Sequence, residues 1–397
     1  MLPNKHQEIE RKSVSTILVG GKICTPDKVF NPGALVIDNK SITLIQNKSE
    51  FKVPKDANVL DTSGCWILPG FIDIHMHGLL GYECMGPDLD QVIKRLPEYG
   101  VTSFMATTMT RPKEEINSLI SHMASILSDP PVGARCLGIH VEGPHLSPER
   151  AGMANPKWFS PLTKNEVDWL QDITNGLIRM LTFAPEEGKA LDVIPYLLDN
   201  NIVPVIGHSN ASYELAKEAI ALGLSQATHT FNAMSPLHHR DPGVTGAVLA
   251  CHSIIAQLIC DGHHVHPGAM QVLLNAKGIS KVCLISDAAP FAELPSGKYN
   301  WAGQDIYIDG KTIRLADGTL AGSYALIDTG FRNLINLLNL NILAASQCTS
   351  MVPAQSVGLG TSKGQLLPGY DADIVVLDEQ YRPLLTIVEG TIVWNAT

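Results

Sequence analysis

Residues 71–77 read Phe-Ile-Asp-Ile-His-Met-His, an apolar run that closes on two histidines one residue apart. Bounded by Gly70 and Gly78, it has the length and composition of a strand buried on both faces, as strands of parallel sheets are. Seven further runs of this character follow, at 102–107, 136–142, 178–183, 202–208, 226–230, 253–260 and 282–287. Segments of helical length separate most of them, among them 89–99, 113–127, 190–200 and 213–222. Strands that alternate with helices predict repeated βα units, and eight of them predict a (β/α)8 barrel.

Outside this middle region the pattern changes to short β-like runs broken by Gly, Pro, Asn and Asp. At the N-terminal side these are STILVGGKICTP (15–26), GALVIDNKSITLIQN (33–47) and ANVLDTSG (57–64). KGQLLPGYDADIVVLD (363–378) and PLLTIVEGTIVWN (383–395) repeat the character near the other end. The expected organisation is a small β-sandwich formed from both chain ends, 1–66 and 356–397, flanking a barrel over 67–355. Two connections, 143–166 and 288–323, are too long for simple βα turns, and the second carries the strand-like IYIDGKTIRLADG (306–318). Long loops in compact domains tend to be functional.

Composition narrows the class. The chain of 397 residues is 45% hydrophobic and 17% charged, with a formal charge of -10. That balance gives no electrostatic footprint for nucleic acid or an anionic membrane, so an anionic ligand must be met by a few local cations. The first residues, MLPNKHQEIERKS, hold no apolar core of a secretory signal, and no apolar run approaches the ~20 residues of a membrane helix. Eight scattered cysteines without a C-x-x-C pair read as reduced thiols of a cytoplasmic protein.

Chemistry-bearing side chains fall at the ends of the strand-like runs. His75 and His77 end the first, Glu142 the third, His208 the fifth, His229 the sixth and Asp287 the eighth. Each alone has an ordinary explanation: a core histidine, a carboxylate at a turn, a helix cap. Their coincidence does not, because in a barrel the C-terminal ends of all strands converge on one pocket. Imidazole and carboxylate suit Zn, Fe or Mn, and four histidines with one bridging carboxylate suffice for one or two divalent ions. Such an ion activates water for hydrolysis, and Asp287 would take the water's proton and return it to the leaving group.

The segments PGFIDIHMHG, GIHVEGPHLSP, FAPE, GHSNAS, THTFNAMSPLHHRDPG, CDGHHVHP, LISDA, DGTLAGS and GYDADIVVLD resemble, in order and over nearly the whole chain, the N-acetylglucosamine-6-phosphate deacetylases of the amidohydrolase superfamily. The resemblance implies a distorted (β/α)8 TIM barrel with a β-sandwich, usually a homodimer, that hydrolyses the acetamide of an amino sugar 6-phosphate. It implies Glu142, His208 and His229 as metal ligands, His75 and His77 as ligands of a second ion, and Asp287 as acid/base. It further implies that Asn232 and Ala233 hold the sugar or phosphate and that Arg240 and His264 face the phosphate, Arg240 from across a dimer.

One departure stands out. Where the family carries Lys-Gly-Ala-His in the loop after the third strand, this chain has Ala151-Gly152-Met153-Ala154, with Arg150 as a neighbouring cation. The substituted loop leaves two other enzymatic readings open, a deacetylase of N-acetylgalactosamine 6-phosphate and an amidohydrolase for another N-acyl small molecule. An inactive barrel with a regulatory role would be expected to lose ligands, and none is lost.

Overall fold

The computed structural model describes residues 15–396; the N-terminal stretch read above for a secretory signal lies outside them. Eight parallel strands pair in sequential order: Phe71–Met76, Val101–Thr107, Arg135–Glu142, Ile178–Phe183, Val203–Ile206, Gln226–Ala227, Ile255–Ile259 and Val282–Ile285. They occupy the eight predicted runs, and the first is buried along its whole length. Ile72, Ile74, Met105, Met180, Val205, Ile259 and Ile285 form one apolar cluster with Val352 and Ala354. A cluster drawn from strands on opposite sides of the ring fills the barrel interior, as a packed barrel requires.

The seam between the eighth strand and the first has no regular ladder. There the backbone N–H of Asp287 donates to the carbonyl of His75 at 2.9 Å. Beside it, the buried Asp73 carboxylate accepts from both the backbone N–H and the hydroxyl of Ser286. With the His77 and Gly78 N–H groups donating to the Ala288 carbonyl, this side chain helps to close the ring.

Helices cover the outside. In Lys164–Thr174 the Thr163 hydroxyl accepts from the Glu166 N–H, Val167, Leu170 and Thr174 form the buried face, and Asn175 ends the helix at φ 51°. Lys113–Ser128 turns Ile116, Ile120, Met123 and Ala124 inward by the same 3.6-residue logic.

Strands from both ends make the β unit. A six-stranded sheet runs Thr391–Asn395, Pro383–Val388, Ile374–Leu377, Trp66–Pro69, Lys22–Cys24, Val29–Phe30, and a four-stranded sheet runs Ser41–Asn47, Gly33–Asp38, Thr16–Val19, Asn58–Asp61. Leu18, Leu35 and Ile42 of one pack on Ile67, Ile374 and Ile387 of the other. The long connection after the eighth strand folds into a three-stranded antiparallel sheet, Gly297–Trp301, Gln304–Ile308 and Ile313–Leu315. No helix among the described residues is long and apolar enough to cross a membrane.

Candidate active site

Six of the singled-out side chains meet at the C-terminal mouth of the barrel. Glu142 is the last residue of its strand, whereas His208, His229 and Asp287 each sit two residues past the end of theirs. All three of these have left-handed backbone, with φ of 48°, 27° and 52°. For residues other than glycine that conformation costs about 1–3 kcal/mol and persists where the surroundings enforce it, typically at functional sites. Before His208 there is no room for any side chain: a Cβ on Gly207 would stand 2.7 Å from the Thr182 methyl and 2.8 Å from the Thr228 Cβ.

Glu142 lies at the centre, with its two oxygens turned to different partners. Oε2 is 3.4 Å from His75 Nε2 and 3.2 Å from His77 Nε2. Oε1 is 3.5 Å from His208 Nε2 and 3.2 Å from His229 Nε2. Asp287 Oδ1 joins the first group, 3.4 Å from His75 Nε2 and 3.3 Å from His77 Nε2. His75–His77–Glu142 and Glu142–His208–His229 are each compact enough to hold a metal ion, with ligand atoms within 4.8 Å of one another.

Hydrogen bonds behind the imidazoles set which nitrogen faces inward. His208 Nδ1 donates to the Arg150 carbonyl at 2.8 Å, and His75 Nδ1 donates to Gln257 Oε1 at 3.2 Å, so in both rings Nε2 offers its lone pair to the cluster. His75 Nε2 is buried with no hydrogen-bond partner. An uncompensated buried acceptor beside carboxylate oxygens is what a bound cation would satisfy, so these residues fit a divalent ion.

The cluster forms one wall of a cavity of about 350 Å³ that also takes in Asn232, Ala233, His264, Arg150 and Ala151 to Ala154. A model of the amidohydrolase family matches residues 66–393. This chain belongs to that family. N-acetylglucosamine-6-phosphate deacetylase of Bacillus subtilis (strain 168) is 36% identical to this amidohydrolase over 381 residues, 93% of this chain and 95% of the relative. N-acetylgalactosamine-6-phosphate deacetylase of Escherichia coli O157:H7 is 34% identical over 328 residues, 82% and 87% of the two chains. The crystal structure of N-acetylglucosamine-6-phosphate deacetylase from Pasteurella multocida superposes with a TM-score of 0.88 at 28% identity, covering 95% of this chain and 99% of that one.

The charges of this amidohydrolase's site are mutually dependent. Burial opposes ionisation of Glu142, but His75, His208 and His229 hold its carboxyl well below the ordinary range. Burial likewise works against Asp287, and His77, with the other imidazoles, more than offsets it. For His77 burial disfavours the cation, yet the carboxylates of Asp287 and Glu142 push it up to about 10. His140, one layer deeper, is driven down to about 3 by burial and by His75, so it stays neutral. Its Nδ1 donates to the Ile74 carbonyl and its Nε2 accepts from the Thr182 hydroxyl at 2.8 Å.

Of the expected substrate contacts, Asn232, Ala233 and His264 line the cavity. Arg240 does not: it lies on an exposed loop, with Nη1 2.8 Å from His239 Nε2. The substituted loop is braced by the three-stranded sheet, whose Gln304 side chain donates to the Met153 carbonyl at 2.8 Å, while Met153 packs in the same apolar cluster as Trp301. Arg150 lines the cavity and donates from Nε to Asn210 Oδ1 at 2.9 Å, so the loop keeps a cation beside the cavity but no imidazole.

Sequence reading passed over three supports of the site: Gln257, His140 and Asp261. The first two leave a trace in the sequence, a polar residue inside an apolar strand (Ile-Ala-Gln-Leu-Ile at 255–259, Ile-His-Val at 139–141), which a buried position tolerates only with a partner.

Proposed function

We propose that this chain is a metal-dependent deacetylase that hydrolyses N-acetylglucosamine 6-phosphate to glucosamine 6-phosphate and acetate. The observation that carries this reading is the placement of Asp287 at the edge of a doubly triadic His/Glu cluster, facing a cavity of sugar-phosphate size. The names of the relatives, which match more than nine-tenths of this chain, support the substrate class.

His75, His77 and Glu142 would hold one divalent ion, and Glu142, His208 and His229 a second. A bound Zn, Fe or Mn ion supplies acidification of water towards a pKa of about 7 and polarisation of the amide carbonyl. Asp287 accepts the proton of the attacking water as its oxygen bonds to the acetamide carbon. The same carboxyl then gives that proton to the nitrogen as the C–N bond breaks, so acetate and the free amine leave and Asp287 is again ionised.

Asn232 and the backbone at Ala233 orient the sugar, and His264 faces the phosphate. Arg240 lies outside this chain's own cavity, so in this reading it meets the phosphate bound by a second copy, in a homodimer. An arginine fork can bond two phosphate oxygens at once. The proposed setting is the cytoplasm, where sugar phosphates are retained.

Release of free amine from the 6-phosphates of N-acetylglucosamine and N-acetylgalactosamine, and from unphosphorylated N-acetylglucosamine, tests the reading. We expect kcat/KM for N-acetylglucosamine 6-phosphate to exceed the other two by at least about tenfold, the worth of one well-made hydrogen bond or more. A preference for the galactosamine epimer would transfer the function to the substrate of the Escherichia coli relative. No turnover of any of the three by metal-loaded protein would remove the deacetylase assignment.

A further inference from the structure

After the seventh barrel strand the chain turns through Cys260-Asp261-Gly262-His263-His264 before entering the helix Pro267–Lys277. Asp261 organises this turn. Its Oδ1 accepts the backbone N–H groups of His263 and His264, each at 2.8 Å. Oδ2 stands 2.6 Å from His264 Nδ1, with the Ser323 hydroxyl 3.4 Å away and nearer, at 3.0 Å, to the Ala325 carbonyl. The two side chains are 4% and 6% exposed, so this carboxylate is committed to the protein and cannot itself serve as a solvent-facing ligand group.

Protonation follows from the donor inventory. An ionised carboxylate only accepts, so the proton in the 2.6 Å contact belongs to His264 Nδ1, and Nε2 is the ring nitrogen without a protein partner. Because His264 lines the substrate cavity, Nε2 is the atom it can offer there. Asp261 places its carboxylate on the side of the ring opposite Nε2. An Asp that holds a histidine in this way acts as the aspartate of a catalytic triad does, without touching substrate.

The pair is also tied to the reacting end of the site. Ser323 N–H donates to the Asp287 carbonyl at 2.7 Å, and the Ala289 N–H donates to the Ser323 carbonyl at 3.0 Å. Ser323 thus lies between the backbone of the acid/base and the carboxylate behind His264.

We propose that Asp261 is a positioning residue for phosphorylated substrate: it fixes His264 with Nε2 towards the cavity. The inference rests on the deacetylase reading above and adds to it the residue that holds the phosphate-facing imidazole. Its signature is a dependence on phosphate and on His264 that a merely structural carboxylate lacks.

A double-mutant cycle tests it. Asp261→Ala, His264→Ala and the double variant are assayed on N-acetylglucosamine 6-phosphate and on the unphosphorylated sugar, with urea unfolding as a control for folding. Expected are KM values for the 6-phosphate raised about tenfold in each single variant, kcat changed by less than about threefold, and a double variant no worse than His264→Ala alone. For the unphosphorylated sugar, kcat/KM should fall by a clearly smaller factor than for the 6-phosphate. Asp261→Asn keeps an oxygen for the two backbone N–H groups but turns an NH2 towards Nδ1, which removes the carboxylate charge and inverts the tautomer. It should therefore fold and still raise KM about tenfold. Additive losses in the cycle, equal effects on both sugars, or a wild-type KM in Asp261→Asn would each overturn the proposal while leaving the deacetylase reading intact. If the wild-type protein, metal-loaded, hydrolyses neither sugar, both fall together.

Discussion

His208 and His229 face each other with their Nε2 atoms 3.1 Å apart. His208 already spends its Nδ1 proton on the Arg150 carbonyl, so in the neutral ring Nε2 is a lone pair aimed at a second imidazole nitrogen and at Glu142. Lone pairs converge in this way where a cation is meant to lie between them. Chelation of the purified protein should abolish turnover and lower its melting temperature by several degrees, because an ion that binds only the folded state stabilises it by mass action. Re-addition of Zn, Fe or Mn should restore both. Activity that survives with metal content below one-tenth of an equivalent would contradict the assignment of the cluster.

Glu142 offers one oxygen to each triad, which separates its variants from those of the histidines. Glu142→Ala should lose bound metal from both triads, whereas His75→Ala and His77→Ala should retain the ion at His208 and His229. Elemental analysis of the purified variants reads this directly. A Glu142→Ala protein with unchanged metal content would show that the histidines alone hold the ions.

For Asp287 the expectation is chemical. Asp287→Asn should keep the fold and most of the metal, and should lower kcat by about 10²–10⁴-fold, the range that a positioned acid/base contributes. Near-normal kcat would remove Asp287 from the proton-transfer role.

At the seam of the barrel, Asp73 holds Ser286 by its N–H and its hydroxyl. Asp73→Ala leaves the Ser286 N–H and hydroxyl proton without an acceptor in a site where Asp73 is 1% exposed. The stability measured from the urea midpoint should fall by about 2–3 kcal/mol, the cost of stranding buried polar groups. Asp73→Asn still offers an acceptor and should fall by less than half as much.

Asp261 carries a pH signature of its own. Burial would raise its carboxyl, but His264 and the backbone N–H groups of His263 and His264 hold it down to about 2. A folded-state value below the unfolded one, about 3.9, means that the folded protein binds fewer protons in that interval. The stabilisation is therefore complete above about pH 5, begins to fade near pH 4 and is lost as pH falls through about 2. Against Asp261→Asn, the wild-type advantage in unfolding free energy should be flat from about pH 5 to 7 and shrink below about pH 4. An advantage that grew on acidification would have the wrong sign.

The strands were legible because a parallel sheet buried on both faces leaves continuous apolar runs, and all eight runs became strands. Their ends were less so. The run 226–230 is regular strand only to Ala227, since His229 and Phe231 turn to positive φ, although Thr228 and Thr230 N–H still donate to Ile206 and Gln257, and the run 202–208 is regular only to Ile206 ahead of His208. Residue type told which side chains could ligate; it could not tell that the ladder must break two residues early to swing them inward. Asp261 was invisible for a different reason: an Asp before Gly reads as a turn former, and its hold on His264 appears only when the turn closes. The position of Arg240 relative to this chain's cavity likewise depends on a loop path that local sequence does not encode.

The six-stranded sheet sets the order in which this protein can be completed during synthesis. Trp66–Pro69 pairs with Ile374–Leu377, whose first residue is made 305 positions (374 minus 69) after Pro69. At about 5–20 residues per second a ribosome needs roughly 15–60 s to cover that distance. Throughout that interval one edge of the strand leading directly into the first barrel strand has no partner, and unpaired edges invite association between chains. A nascent chain of this design is thus most vulnerable to aggregation while the barrel is being made, and only the arrival of Ile374–Leu377 ends that exposure.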